Sequence, residues 1–179
     1  MVTEITDNAR IIIDNIMTRT SIRSYLEKPV EEFKVELILR AAMAAPSAKN
    51  LQPWSFVVVR NKQLMNALAE ALPYAKMLPK ADVAIVVCGD LSKSLPIEGY
   101  WAQDASAVSQ NILLAAHALG LGAVWTGVYP RQERVIPVQE LLGLPDGIIP
   151  LNIIPLGYPA KDYVPRDKWD ESKIHYEKW

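Results

Sequence analysis

Apolar and polar positions alternate with two periods along this chain. Residues from about Asp7 to Met17 read as a helix, and the polar link Thr18 to Ser24 follows. A second helix is predicted from about Glu31 to Ala45, with Glu31 and Glu32 suited to the positive end of its dipole. Phe33, Leu37, Ala41 and Ala44 recur on one of its faces. Pro46 disfavours helical geometry at Ala45 and stops it. Phe56 to Val59 reads as a strand, and Asn61 is placed to cap a helix over Lys62 to Ala71. Ala81 to Cys88 is a second, apolar strand.

Pro96 is suited to open a long helix, Ile97 to Leu119, with Gly120 as its left-handed stop. Its second half, Ile112 to Leu119, is almost wholly apolar, which places it at the centre of the domain or of a dimer. A strand over Ala123 to Tyr129 follows, then a helix over Arg131 to Leu142 broken at Pro137 and stopped by Gly143. The last strand is Leu151 to Leu156. Helices mixed with four short strands, without strict alternation, give an α+β fold with helices covering a small sheet. Ala160 to Trp179 is a charged tail, yet Tyr163, Trp169, Tyr176 and Trp179 need a surface to bury against. That surface is its own domain or a partner subunit.

A chain of 179 residues suits a single domain spanning 1–179. A net charge of −1 offers no general attraction for nucleic acid or an anionic membrane. Any anion site must be local. Cys88 is the only cysteine and lies in a strand, so it reads as an inert core thiol. His117 reads as a satisfied core or interface histidine, with no second ligand at metal spacing. The N-terminus lacks the pattern of a signal peptide, and no apolar run reaches membrane-span length. A cytoplasmic protein is expected.

Four constellations could carry chemistry. In Arg19-Thr20-Ser21-Ile22-Arg23, extended or helical backbone puts both guanidinium groups on one side, as a phosphate requires. Arg166-Asp167-Lys168 could add cations to that point if the tail docks there. In Pro46-Ser47-Ala48-Lys49-Asn50-Leu51-Gln52-Pro53, amides on a stiffened backbone suit the edge of a planar heterocycle. In Val124-Trp125-Thr126-Gly127-Val128, a glycine inside a strand marks a kink or a close approach by a ligand. Each also has a plainer reading as a surface charge, a turn or a kink. The chain shows no Walker loop, GxGxxG, CxxC or HExxH, and no credible Ser/His/Asp set. Such a chain invites a cofactor that brings its own reactivity.

In this order these features resemble the FMN-dependent nitroreductase family. Further matches are Asp104-Ala105-Ser106-Ala107, Gln110-Asn111, Leu119-Gly120-Leu121-Gly122 and Leu156-Gly157-Tyr158-Pro159. The resemblance implies a mainly antiparallel sheet and a homodimer with FMN at the interface. It also implies a tail wrapping the partner subunit, and NADH or NADPH as reductant. By that likeness Arg19, Thr20, Ser21 and Arg23 hold the FMN phosphate, ribityl chain and ring edge, and Arg166 and Lys168 complete the phosphate site. Pro46, Ser47, Ala48 and Asn50 touch the same flavin from the other subunit, with Gln52 supporting the loop. Trp125, Thr126 and Gly127 approach the ring, the last two through backbone near N5. Electrons would pass from NAD(P)H through N5 to a small aromatic acceptor such as a nitroaromatic or quinone. The likeness also leaves room for reductive dehalogenation, flavin breakdown or non-catalytic FMN binding on the same fold. Thr20 stands where many members carry a second Arg, Thr126 where some carry an acid, and Lys168 where Arg is common. No long lid insertion follows the central helix.

Overall fold

Thr6 accepts the N–H of Ala9 and starts α1 (Asp7–Thr18), in a computed structural model that describes residues 5–95 and 99–179. No residue of α1 is buried. In α2 (Glu32–Met43) the buried residues are Val35, Ile38 and Ala42. The face carrying Phe33, Leu37, Ala41 and Ala44 is instead turned outward, with Phe33 57% and Leu37 46% exposed. The helix has two apolar faces, and periodicity alone does not tell which one meets the core.

β1 (Trp54–Val59) begins two residues earlier than its apolar run suggests. Asn61 caps α3 (Lys62–Ala71) by accepting the N–H of Leu64 at 2.9 Å. β2 (Val83–Asp90) is buried along its whole length. α4 runs over Tyr100–Ala118, and the expected opening at Pro96 and Ile97 lies outside the described residues. The single strand expected over Ala123 to Tyr129 is two short ones, β3 (Gly122–Ala123) and β4 (Thr126–Gly127). Pro137 does not break α5 (Gln132–Leu142). A proline inside a helix forfeits one backbone bond, and buried Val135 and Val138 anchor the helix on both sides of it. β5 (Ile148–Gly157) completes the set.

The sheet order is β1-β2-β5-β3, with β4 also on β5, and every pair is antiparallel. Alternate residues of β2 face opposite layers, as strand geometry requires. Val83, Ile85 and Val87 pack with Val35 and Ile38 of α2 and Val108 and Ile112 of α4. Ala84, Val86 and Cys88 pack with Met65 and Leu68 of α3 and Val135 and Val138 of α5. The fold is thus α+β, with a sheet between two helical layers. Burial pushes the Cys88 thiol up to about 12, which keeps it protonated and inert.

The tail beyond Tyr163 does not bury its rings on its own domain. Trp169 is 73%, Tyr176 82% and Trp179 101% exposed.

Candidate functional site

The Arg19–Arg23 segment is extended and pinned beside the sheet. Ser21 forms a parallel bridge with Ala123, and the Ile22 N–H donates to the Ala123 carbonyl at 2.9 Å. Ile22 is buried, Ser21 half-buried and Arg23 exposed, as alternation along extended backbone dictates. Tyr25 locks the next turn by donating its hydroxyl to the Ile22 carbonyl at 2.7 Å. Burial holds that hydroxyl well above the usual tyrosine range.

This pinning brings Arg23 to Trp125, Thr126 and Gly127 in one cleft of about 440 Å³, shared with Tyr74, Lys76 and Met77. The Thr126 hydroxyl donates to the Ile153 carbonyl at 2.5 Å, so its side chain serves the sheet. A Cβ added at Gly127 would meet nothing nearer than Trp125 Nε1 at 3.9 Å. The space over Gly127 is therefore open. Arg134 donates to the Gly127 carbonyl at 3.3 Å, and its guanidinium lies 5.5 Å from the centre of the Tyr74 ring. The described lining thus offers cations, aromatic rings and exposed backbone, with no carboxylate.

Tyr74, Lys76 and Arg134 belong to no motif singled out in the sequence. Tyr74 and Lys76 come from the turn that follows α3, and Arg134 from the start of α5, and no local pattern marks them.

Thr20 faces a second cleft of about 230 Å³ with Thr18, His117, Lys161, Asp162 and Tyr163. His117 Nε2 lies 2.9 Å from Thr18 Oγ1, whose own proton goes to the Asp14 carbonyl at 2.6 Å. Nε2 therefore donates. Burial first, and the charge of Arg19 second, hold His117 below the usual histidine range. Arg166 and Lys168 stand exposed on the tail and line neither cleft. Among the described residues no group of His, Cys, Asp or Glu could hold a metal ion.

The loop from Pro46 to Gln52 is tightly wound. Lys49, Asn50 and Gln52 have φ of 51°, 56° and 51°, a region non-glycine residues enter at a cost. Ser47 Oγ accepts the Gln52 N–H at 2.9 Å, and Gln52 Nε2 donates to Asn50 Oδ1 at 3.3 Å. Gln52 thus supports the loop. Within one chain this loop lines neither the Arg23 cleft nor the Thr20 cleft.

The fold and cleft define an α+β sheet protein with a cationic, aromatic recess beside β4. The profile described as the Nitroreductase family matches residues 16–74 and 71–158, and the chain belongs to that family. A protein of Methanothermobacter thermautotrophicus, provisionally described as an NADH dehydrogenase/NAD(P)H nitroreductase, is 50% identical over 168 residues, 94% of this chain and 87% of that one. A crystal structure from Bacteroides thetaiotaomicron with the same provisional description is 51% identical, with a TM-score of 0.91 over 97% of this chain and all of that one (100%). The FMN-dependent nitroreductase of Clostridium difficile is 32% identical, with a TM-score of 0.87 over 93% of this chain and 99% of that one.

Proposed function

We propose that the chain is an FMN-dependent NAD(P)H oxidoreductase that passes electrons to nitroaromatics, quinones or similar acceptors. The observation that carries this reading is the joining of Arg23 to Trp125, Thr126 and Gly127 in one cleft. The donor set fits a flavin: cations for the ring edge that gains negative charge on reduction, backbone beside its face and an open glycine. When bound, FMN would supply the two-electron redox chemistry that links NAD(P)H to the acceptor.

The chain's own residues bind, orient and set charge. Arg23 and Lys76 place positive charge beside the ring edge, where reduction builds negative charge. Thr126 spends its hydroxyl on Ile153, leaving its backbone and that of Gly127 to border the ring. Trp125 and Tyr74 offer flat aromatic faces to the cleft. Arg19, Ser21 and the exposed Arg166 and Lys168 supply the phosphate and ribityl contacts. No histidine or carboxylate is among the described cleft residues, so the chain contributes positioning rather than proton transfer.

The protein works as a homodimer with FMN at the interface. Ile12, Ile16, Phe33 and Leu37 expose apolar surface on α1 and α2, an arrangement that favours a partner. Pro46, Ser47, Ala48 and Asn50 then face the flavin held by the other subunit. The exposed rings of the tail support its lying across that subunit. No described helix is long and apolar enough to cross a membrane, and a nicotinamide-fed enzyme of this kind works in the cytoplasm.

The test is anaerobic turnover of the FMN-loaded protein with NADH or NADPH and a quinone or nitroaromatic. Oxidation of the nicotinamide at a rate above that of free FMN supports the reading. A rate no greater than free FMN would overturn it.

A further inference from the structure

Asp104 stands on the first turns of α4 and is only 7% exposed. Its Oδ1 accepts the N–H of Ala48 at 3.0 Å. Within the loop run Asn50 N–H to Ser47 O, Leu51 N–H to Ala48 O, Gln52 N–H to Ser47 Oγ and Gln52 Nε2 to Asn50 Oδ1. At its exit the loop is tied to β1, whose Trp54 N–H donates to the Gln52 carbonyl at 2.8 Å; among the described hydrogen bonds, the Asp104 bond alone ties residues 46–51 to another element.

The loop needs such a tie. Lys49, Asn50 and Gln52 all sit at positive φ without being glycine. Such conformations persist only when their surroundings over-determine them. The internal bonds close the turn but do not set where it stands on the domain. Trp54 holds its exit, and Asp104 holds its first half by gripping the backbone beside the strained residues. A burying helix also fixes the carboxylate, since neighbouring Ala105 and Val108 are fully buried.

We propose that Asp104 is a positioning residue for FMN: it holds the Ala48 backbone so that each subunit presents a ready-made wall to its partner's flavin. This rests on the flavin reading above. It adds that affinity for FMN depends on a buried carboxylate that touches no cofactor. Preorganisation of this kind gains affinity by cutting the ordering cost of binding.

The experiment titrates full-length apo-protein with FMN, following flavin fluorescence, alongside thermal unfolding of the apo form. Asp104→Ala withdraws the acceptor, and the dissociation constant rises roughly tenfold or more, as loss of a buried hydrogen bond implies. Asp104→Asn keeps an oxygen acceptor and restores most of the affinity. Lys49→Asn, which favours positive φ, recovers part of the loss in the Asp104→Ala background. If Asp104→Ala is too unstable to purify, Asp104→Leu keeps the bulk without the acceptor and takes its place. Wild-type affinity in the acceptor-free variant would overturn the proposal. So would an Asp104→Asn protein that is folded yet binds no better than Asp104→Ala. Failure of the wild-type protein to bind FMN would sink the flavin reading itself, a different outcome from normal binding that ignores Asp104.

Discussion

The Ile22 N–H donates to the Ala123 carbonyl at 2.9 Å, joining the arginine segment to the strand that leads into Thr126 and Gly127. Gly122 makes the approach possible. A Cβ there would lie 2.5 Å from Ile22 Cγ2 and 2.7 Å from Ile22 Cβ. Gly122→Ala should therefore cost about 1–3 kcal/mol of stability by overpacking. It should also weaken FMN binding, because the segment carrying Arg23 must move. Chemical denaturation and flavin titration of the same variant check both effects.

Arg23 and Thr126 line one cleft but should respond differently. Arg23→Ala removes a cation from the cleft proposed to hold the flavin, and should weaken FMN binding and slow reduction by about ten- to a hundredfold, as loss of a charged hydrogen-bonding group implies. Thr126→Val removes a hydroxyl already committed to Ile153 at 2.5 Å. It should lower stability by about 1 kcal/mol and leave the flavin spectrum unchanged. Rapid-reaction measurements on both variants separate backbone from side-chain contributions.

Much of this was legible in the chain itself. The Arg19–Arg23 spacing indicates a shared side in either backbone form, and the structure makes the segment extended. Asn61 announces its helix, and Cys88 its buried strand. What stayed hidden depended on contacts distant in sequence. Phe33 and Leu37 have the same periodicity as a core face, yet Val35, Ile38 and Ala42 take the core. Tyr74, Lys76 and Arg134 carry no local signal, because only the fold brings the turn after α3 and the start of α5 beside Gly127. The run from Ala123 to Tyr129 reads as continuous strand. It splits because Val124 and Trp125 leave the pairing with β5 between Gly122–Ala123 and Thr126–Gly127, and beyond Gly127 both Val128 and Tyr129 N–H converge on one β5 carbonyl, that of Leu151.

His117 should make stability pH-dependent. Burial and then Arg19 depress its folded-state pKa, so the folded protein binds fewer protons there than the unfolded chain. Stability from this site is fully present above the unfolded histidine value of roughly 6.5. It is lost as pH falls from there towards the lower folded-state value. His117→Gln keeps a donor for Thr18 but does not titrate. Its thermal midpoint should fall less than that of wild type between neutral and mildly acidic pH, measured by calorimetry.

Leu37 is 46% exposed on the outward face of α2. Leu37→Asp should leave the isolated fold within about 0.5 kcal/mol, as for surface substitutions generally. It should nonetheless shift the protein from dimer to monomer and remove most FMN affinity. Sedimentation velocity with flavin absorbance reads both at once. A monomer that kept full FMN affinity would contradict the placing of Pro46–Asn50 against the partner's flavin.

The central claim is that this cleft holds a working flavin. The most direct measurement is the visible spectrum of the purified protein, after FMN loading and then with anaerobic NADH and NADPH in turn. The account predicts oxidised-flavin absorbance that stays with the protein through gel filtration and bleaches with at least one nicotinamide. Protein that retains no FMN, or whose bound flavin neither nicotinamide bleaches, would contradict it.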